Sequence, residues 1–244
     1  MSPRITGAVA RRVLAQLRRD PRTVALLIGV PTLLVVLLHE VFAGRDLVFQ
    51  HIGGPLLGLF PFVSMFLVSS ITMLRERVSG TLERLMSMPL GRLDLLAGYA
   101  IAFALVAAVQ ASVVSLVALE LLGLDAHRPF AVVLLAIGNA VLGMSLGLFV
   151  SAFARTEFQA VQFMPAFVLP QILLCGLIVA RDQMADWLQV VSALLPLTYA
   201  YDALARVTAP GALGPRFWLD VTITVTVTFV ALALGAATLR RRTP

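Results

Sequence analysis

The stretch from Ile52 to Arg92 reads IGGPLLGLFPFVSMFLVSSITMLRERVSGTLERLMSMPLGR, and it joins two kinds of chain. Residues 52–74 carry no charge and, as a helix rising about 1.5 Å per residue, are long enough for the ~30 Å apolar core of a bilayer. Residues 75–92 are dense in charge. The rest of the sequence repeats the first kind. Of 244 residues 59% are hydrophobic and 13% charged, whereas soluble domains carry about 25% charge. The solvent of this chain is lipid.

Six spans are expected, at 23–43, 52–74, 93–122, 130–154, 158–180 and 218–239. The last contains TITVTVTF, whose alternation suits a strand in water. A lone strand leaves its backbone unsatisfied in lipid, so a helix is expected instead. The first run is followed by no small-residue cleavage site and is expected to remain as a span. The whole chain, 1–244, reads as a single all-α polytopic membrane domain.

Orientation follows from arginine, which supplies all 19 basic residues. With a cytoplasmic N-terminus, 14 lie inside: Arg4, Arg11, Arg12, Arg18, Arg19, Arg22, Arg75, Arg77, Arg84, Arg92, Arg155, Arg240, Arg241 and Arg242. The other 5 lie outside: Arg45, Arg128, Arg181, Arg206 and Arg216. This is the positive-inside distribution, with both termini cytoplasmic. A net charge of +6 can also mark nucleic-acid binding. Here the arginines cluster at the ends of apolar runs, so no nucleic-acid partner is expected.

Two segments are expected to touch the membrane without crossing it. In residues 1–22, Ile5, Val9, Val13, Leu14 and Leu17 fall on one helical half and the arginines on the other, the pattern of an interfacial helix. Residues 184–207 are fairly apolar but hold Asp186, Pro196 and Asp202, and each charge costs ~3 kcal/mol at mid-bilayer. An outer re-entrant segment over 181–217 is expected. Such backbone is allowed where protein or water covers it.

Several chemistries are missing. There is no G-x-x-x-x-G-K-[ST] loop and no lysine to complete one, so ATP hydrolysis by that route is excluded. His39, His51 and His127 have no ligand spacing, and the single Cys175 reads as a small apolar residue. No Ser/His pair falls at matched depth in two spans. Glu40 and Glu120, near outer span ends, are the candidates for proton coupling. Gln110, Asn139, Gln162 and Gln171 lie deeper and suit hydrogen bonds between helices, worth about 0.6 kcal/mol each, or the wall of a substrate path. Prolines 31, 55, 61, 165 and 170 mark irregular helices. Gly143-Met-Ser-Leu-Gly147 is a GxxxG, which permits close helix approach but is common in apolar spans.

In the polar stretch, Gly80 breaks the preceding helix and Thr81 can cap a new one. Glu83 suits its first turn. Leu82, Leu85 and Met86 form one apolar face, Met88 extends it and Pro89 stops it. A short amphipathic helix on a cytoplasmic loop, 75–92, is suited to a groove on another protein or to the membrane surface.

This loop resembles that of type 2 ABC transporter permeases, at Arg75, Glu76, Gly80, Thr81, Leu82, Glu83, Leu85, Pro89, Leu95, Leu96 and Gly98. A second match is similar to the family's outer segment, at Met184, Trp187, Leu188, Gln189, Pro196, Leu197, Thr198, Tyr199, Asp202, Ala203 and Leu204. Tyr99 stands where many relatives have lysine, and Ala185 and Leu195 replace a usual proline and asparagine.

The resemblance implies an exporter permease in a bacterial plasma membrane, moving a lipophilic or amphiphilic substrate such as a drug, lipid or glycolipid. It implies pairing with a second permease, identical or related, and two separate ATPase subunits that carry ATP and Mg. This chain itself would need no cofactor and no metal. The 75–92 loop would be the coupling helix, touching the ATPase through Arg75, Glu76, Gly80, Thr81, Leu82, Glu83, Arg84, Leu85 and Met86, with Arg155 and Glu157 as a second contact. The outer gate would use Met184, Trp187, Leu188, Pro196, Leu197, Thr198, Tyr199 and Asp202. The substrate path, between the first, second and fifth spans, would include Glu40, Pro61, Gln162 and Gln171. A proton-coupled carrier and a non-transporting membrane scaffold remain the alternatives.

Overall fold

A computed structural model describes residues 2–81, 84 and 91–238. All regular structure among them is helical. The helices are α1 (Pro3–Arg18), α2 (Pro21–Val41), α3 (Asp46–Val78), α4 (Arg92–Leu116), α5 (Pro129–Val150), α6 (Glu157–Leu174), α7 (Asp186–Leu194), α8 (Pro196–Thr208) and α9 (Pro215–Ala237). A π-turn, Val117–Leu121, extends α4. Proline opens α1, α2, α5, α8 and α9, where its missing N–H costs nothing and its φ is already helical. Asp20 caps α2 through the Thr23 amide at 3.2 Å.

Five stretches are long and apolar enough to cross a membrane: Pro21–Val41, Leu47–Val78, Leu93–Leu121, Pro129–Val150 and Pro215–Ala237. The pair α7 and α8, bent by 90°, supplies a sixth candidate as a broken span or a re-entrant loop. The expected fifth span, 158–180, appears as the shorter α6. Gly176 has φ +104, a conformation that favours glycine and ends helices. Three glutamines and two prolines also dilute the apolarity of α6.

The sixth expected span is helical, as the backbone argument requires. Its threonines satisfy themselves: Thr222, Thr224, Thr226 and Thr228 each donate to the carbonyl four residues earlier, at 2.7–2.8 Å. No hydroxyl is left bare toward lipid.

The centre of the molecule is α3 against α5. A Cβ on Gly143 would collide with the carbonyl of Phe62, and one on Gly147 with the carbonyl of Phe66 and the Ser69 hydroxyl. Ser69 donates to Met144 O at 3.0 Å across the same seam. The GxxxG is therefore a true crossing point of two backbones. Around it Phe62, Phe66, Met65, Leu142 and Leu148 are fully enclosed.

Polar side chains tie the outer helices to this pair. Gln110 on α4 donates to Leu27 O of α2 at 2.8 Å and to the Ser64 hydroxyl of α3. Asn139 reaches Ala200 O of α8 at 3.4 Å. α1 does more than lie on the membrane. Val9 packs on Gly98, where a Cβ would come within 2.6 Å of it, and Val9, Ala10 and Val13 are buried. Part of its apolar face is spent on the protein.

Gly147→Leu should destabilise the protein by about 1–3 kcal/mol or more, the cost of overpacking a closed seam. Gly138→Ala, at a position where a Cβ meets nothing within 4 Å, should leave it unchanged or firmer. Thermal unfolding in one detergent compares the two.

Candidate functional site

The arginine-rich end gathers the termini of α3, α4, α5 and α6 with α1. α3 ends at Val78, and Gly80 has φ +69, the break expected there. The Arg84 amide donates to Gly80 O at 3.1 Å, and the Thr81 and Ser79 hydroxyls share a hydrogen bond of 2.9 Å. Leu82, Glu83, Leu85 and Met86 lie outside the described residues.

Arg75 and the 155–157 turn, far apart in sequence, meet here. Arg75 Nε donates to Glu157 Oε1 at 2.8 Å and its NH2 to Oε2 at 2.9 Å. The fork matches a carboxylate geometrically, though both groups are exposed and the pair adds little stability. Its hydrogen bonds hold the Glu157 carboxyl below the usual carboxylate range. Thr156 caps α6 through the Gln159 amide at 3.2 Å, and Gln159 accepts from the Arg155 amide at 2.8 Å. This near-capping-box fixes the turn. Between the turn and the α3 terminus lies an open cleft of about 740 Å³, lined by Gln16, Arg75, Glu76, Thr81, Arg155 and Glu157 among others.

Glu76 faces inward. It is 7% exposed and accepts from Arg12 at 2.9 and 3.0 Å. Asp94, just after the loop, accepts from the Ser2 amide at 2.7 Å and the Thr6 hydroxyl at 3.2 Å. So α1 grips the chain on both sides of the 79–91 segment. Sequence reading missed Asp94 and the Arg12 partnership because the partners are 92, 88 and 64 residues apart.

At the opposite end three of the expected outer-gate residues, Pro196, Thr198 and Tyr199, lie at one bend. Thr198 donates to Ser192 O at 2.8 Å, Tyr199 to Ala193 O at 2.7 Å, and Ser192 to Leu174 O at 2.8 Å. The first two bonds close the 90° bend between α7 and α8 across Leu195 and Pro196, and the third ties α7 to the end of α6. Leu197 is buried, Met184 and Leu188 are half-buried, and Trp187 is 68% exposed. Asp202 pairs with Arg181 at 3.0 Å. Next to it Asp220, with no exposed side-chain surface, faces Arg206 at 3.4 Å and Arg216 at 3.3 Å. The Arg216–Asp220 spacing of four was a legible signal; the partners across helices were not.

The four pathway residues do not share a surface. Glu40 is exposed beside His39, at 3.3 Å, and Gln162 is exposed on α6. Pro61 is buried. Gln171 is 5% exposed and holds Leu197 N at 3.3 Å and Phe167 O at 2.9 Å. Glu120 is exposed in the π-turn. Among the described residues no cluster of His, Cys, Asp and Glu has the makings of a metal site.

The chain thus combines a bundle of apolar helices, a first helix clamped on both sides of the 79–91 segment and a bent helical pair before the last apolar helix. The ABC-2 type transporter family model matches residues 5–208, and the chain belongs to that family. It is 27% identical over 193 residues to the probable multidrug ABC transporter permease YbhR of Escherichia coli K12, covering 77% of this chain and 51% of that protein. It is 27% identical over 141 residues to the linearmycin resistance permease protein LnrN of Bacillus subtilis 168, covering 58% and 37%. It is 26% identical over 154 residues to ABC transporter G family member 20 of Dictyostelium discoideum, covering 63% and 21%. The chain thus spans about half the length or less of these relatives.

Two outcomes follow from the charges. Asp220→Ala removes the enclosed carboxylate from two half-exposed arginines and should destabilise the protein by about 1–2 kcal/mol; Arg206→Gln should cost less, because Arg216 still faces the carboxylate. Detergent melts measure both. Because its pKa is lowered, Glu157 stays ionised to lower pH than an ordinary glutamate, and the link to Arg75 is lost only as pH falls through that lowered value. Carbodiimide labelling of Glu157, which needs the protonated acid, should therefore begin at higher pH in Arg75→Gln.

Proposed function

We propose that this chain is the membrane-spanning subunit of an ATP-driven exporter for a lipophilic or amphiphilic substrate. It lies in a bacterial plasma membrane with its arginine-rich end in the cytoplasm. Separate ATPase subunits, two per complex and carrying ATP and Mg, dock on that end. A second permease, identical or related, completes the pathway. The observation that carries this reading is the convergence of Arg75, Thr81, Arg155 and Glu157 on one open cleft in a chain that belongs to the ABC-2 family and has no phosphate-binding loop. An open cleft beside a cytoplasmic loop gives a second protein a place to push. The clamp of α1 on Glu76 and Asp94 would pass that push into α3 and α4.

The relatives named for multidrug and linearmycin resistance favour an amphiphilic cargo. Both glutamates suited to proton coupling are exposed at the arginine-poor end, which favours an ATP-driven permease over a proton-coupled carrier. The bent α7–α8 pair, with Trp187 exposed, would serve as the outer gate. Glu40, Pro61, Gln162 and Gln171 would act near or behind the path, with Gln171 holding the gate hinge.

Co-expression with an ATPase subunit tests the docking. The unaltered chain should co-purify with it, and Glu83→Arg combined with Leu85→Asp should abolish the association without loss of the folded permease. Undiminished association in that double variant would remove the coupling-helix assignment.

A further inference from the structure

The face of α1 that remains exposed carries a basic stripe. Arg4, Arg11 and Arg18 recur every seven residues, which keeps them within about 40° of one another around the helix. All three are exposed, and the side chain of none forms an ion pair or hydrogen bond with another described residue. The other side of the helix is already engaged. Val9 and Val13 are buried, Arg12 holds Glu76 and Thr6 holds Asp94. The stripe is left to meet something outside the chain.

An apolar groove adjoins it. The groove holds about 170 Å³ between α1, α2 and α4 and is lined by Leu14, Leu17, Val24, Leu27, Leu105 and Val109 among others. It opens sideways, since Leu105 and Val109 are each half exposed. Leu14 joins groove and stripe. Arg11 stands three residues before it and Arg18 four residues after, so both are its neighbours on the helix surface. The two arginines are about 10 Å apart along the axis, a span that their long side chains can close on one phosphate. Asp20, at the end of α1, is turned to the Thr23 amide and hydroxyl, at 3.2 and 2.6 Å.

We propose that this edge of α1 binds one anionic phospholipid of the bilayer, with its phosphate between Arg11 and Arg18 and an acyl chain in the groove. Arginine pairs phosphate through charge-assisted hydrogen bonds, and a basic site beside membrane helices suits an anionic headgroup. A ligand that satisfies both parts needs a negative head and a hydrocarbon tail. An acidic protein surface leaves the groove empty, and a zwitterionic lipid offsets its phosphate with its own cation. The site needs no ATPase and no cargo, so its failure leaves the proposed transport role untouched.

The experiment titrates the full chain in detergent micelles with palmitoyl-oleoyl phosphatidylglycerol or phosphatidylcholine, and counts bound lipid by native mass spectrometry. One phosphatidylglycerol per chain should be held about tenfold to thirtyfold more tightly than phosphatidylcholine, the worth of two arginines beside an anionic headgroup. Arg11→Gln combined with Arg18→Gln should bring the two lipids level, whereas Arg45→Gln at the opposite end should keep the preference. Leu105→Trp, which fills the groove from its open side, should weaken both lipids. sn-Glycerol 3-phosphate, a head with no tail, should not compete. Equal retention of the two lipids by the unaltered chain would overturn the proposal, and that comparison needs no variant to fold. So would full competition by sn-glycerol 3-phosphate. A preference that survives the double variant, while co-purification with an ATPase subunit is lost, would make the stripe a protein surface instead.

Discussion

The backbone contact of α5 on α3 is the constraint from which the rest hangs. Gly143 and Gly147 let the carbonyls of Phe62 and Phe66 approach to where any Cβ would sit. In lipid there is no hydrophobic drive between helices, so close packing and hydrogen bonds must hold them. Ser69 supplies such a bond to Met144 O. α3 is 33 residues long, about 50 Å as a helix, and exceeds the ~30 Å apolar core. Both its ends project, and both carry the molecule's chemistry.

At one end α3 delivers Arg75 and Glu76 in opposite senses. Arg75 turns out to Glu157, and Glu76 turns in to Arg12. One exposed pair and one enclosed pair thus join α3 to α6 and to α1. At the other end Gly54 and Gly58 make room for Thr208 and Leu204 of α8, which seats the bent pair against the bundle. α3 thus joins the arginine-rich end to the bent pair through one continuous packed helix.

Much of this was legible in the sequence. Apolar runs and arginine placement gave the spans, because both are set by transfer from water to lipid, a local property. Asp186 and Asp202 marked 184–207 as unfit for a plain span, and the structure bends it by 90° at Leu195 and Pro196. Gly80 ended α3 as its missing Cβ suggests. The early end of α6 was not seen, since Gly176 in an apolar run looks like any spanning glycine. The GxxxG was visible but common, and only the partner helix distinguishes a used motif from an idle one. The clamp of α1 and the charges around Asp220 depend on residues brought together from distant helices. No periodicity records such meetings. Nor does sequence show that Gln171 and Glu76 are already engaged within the protein.

In the proposed function an ATPase partner drives export through this bundle. It is tested most directly in inside-out vesicles that hold the permease and its ATPase subunit, loaded from outside with a fluorescent cationic amphiphile. Accumulation should require hydrolysable ATP and persist when a protonophore collapses the pH gradient. Accumulation that runs without ATP and vanishes with the protonophore would contradict it.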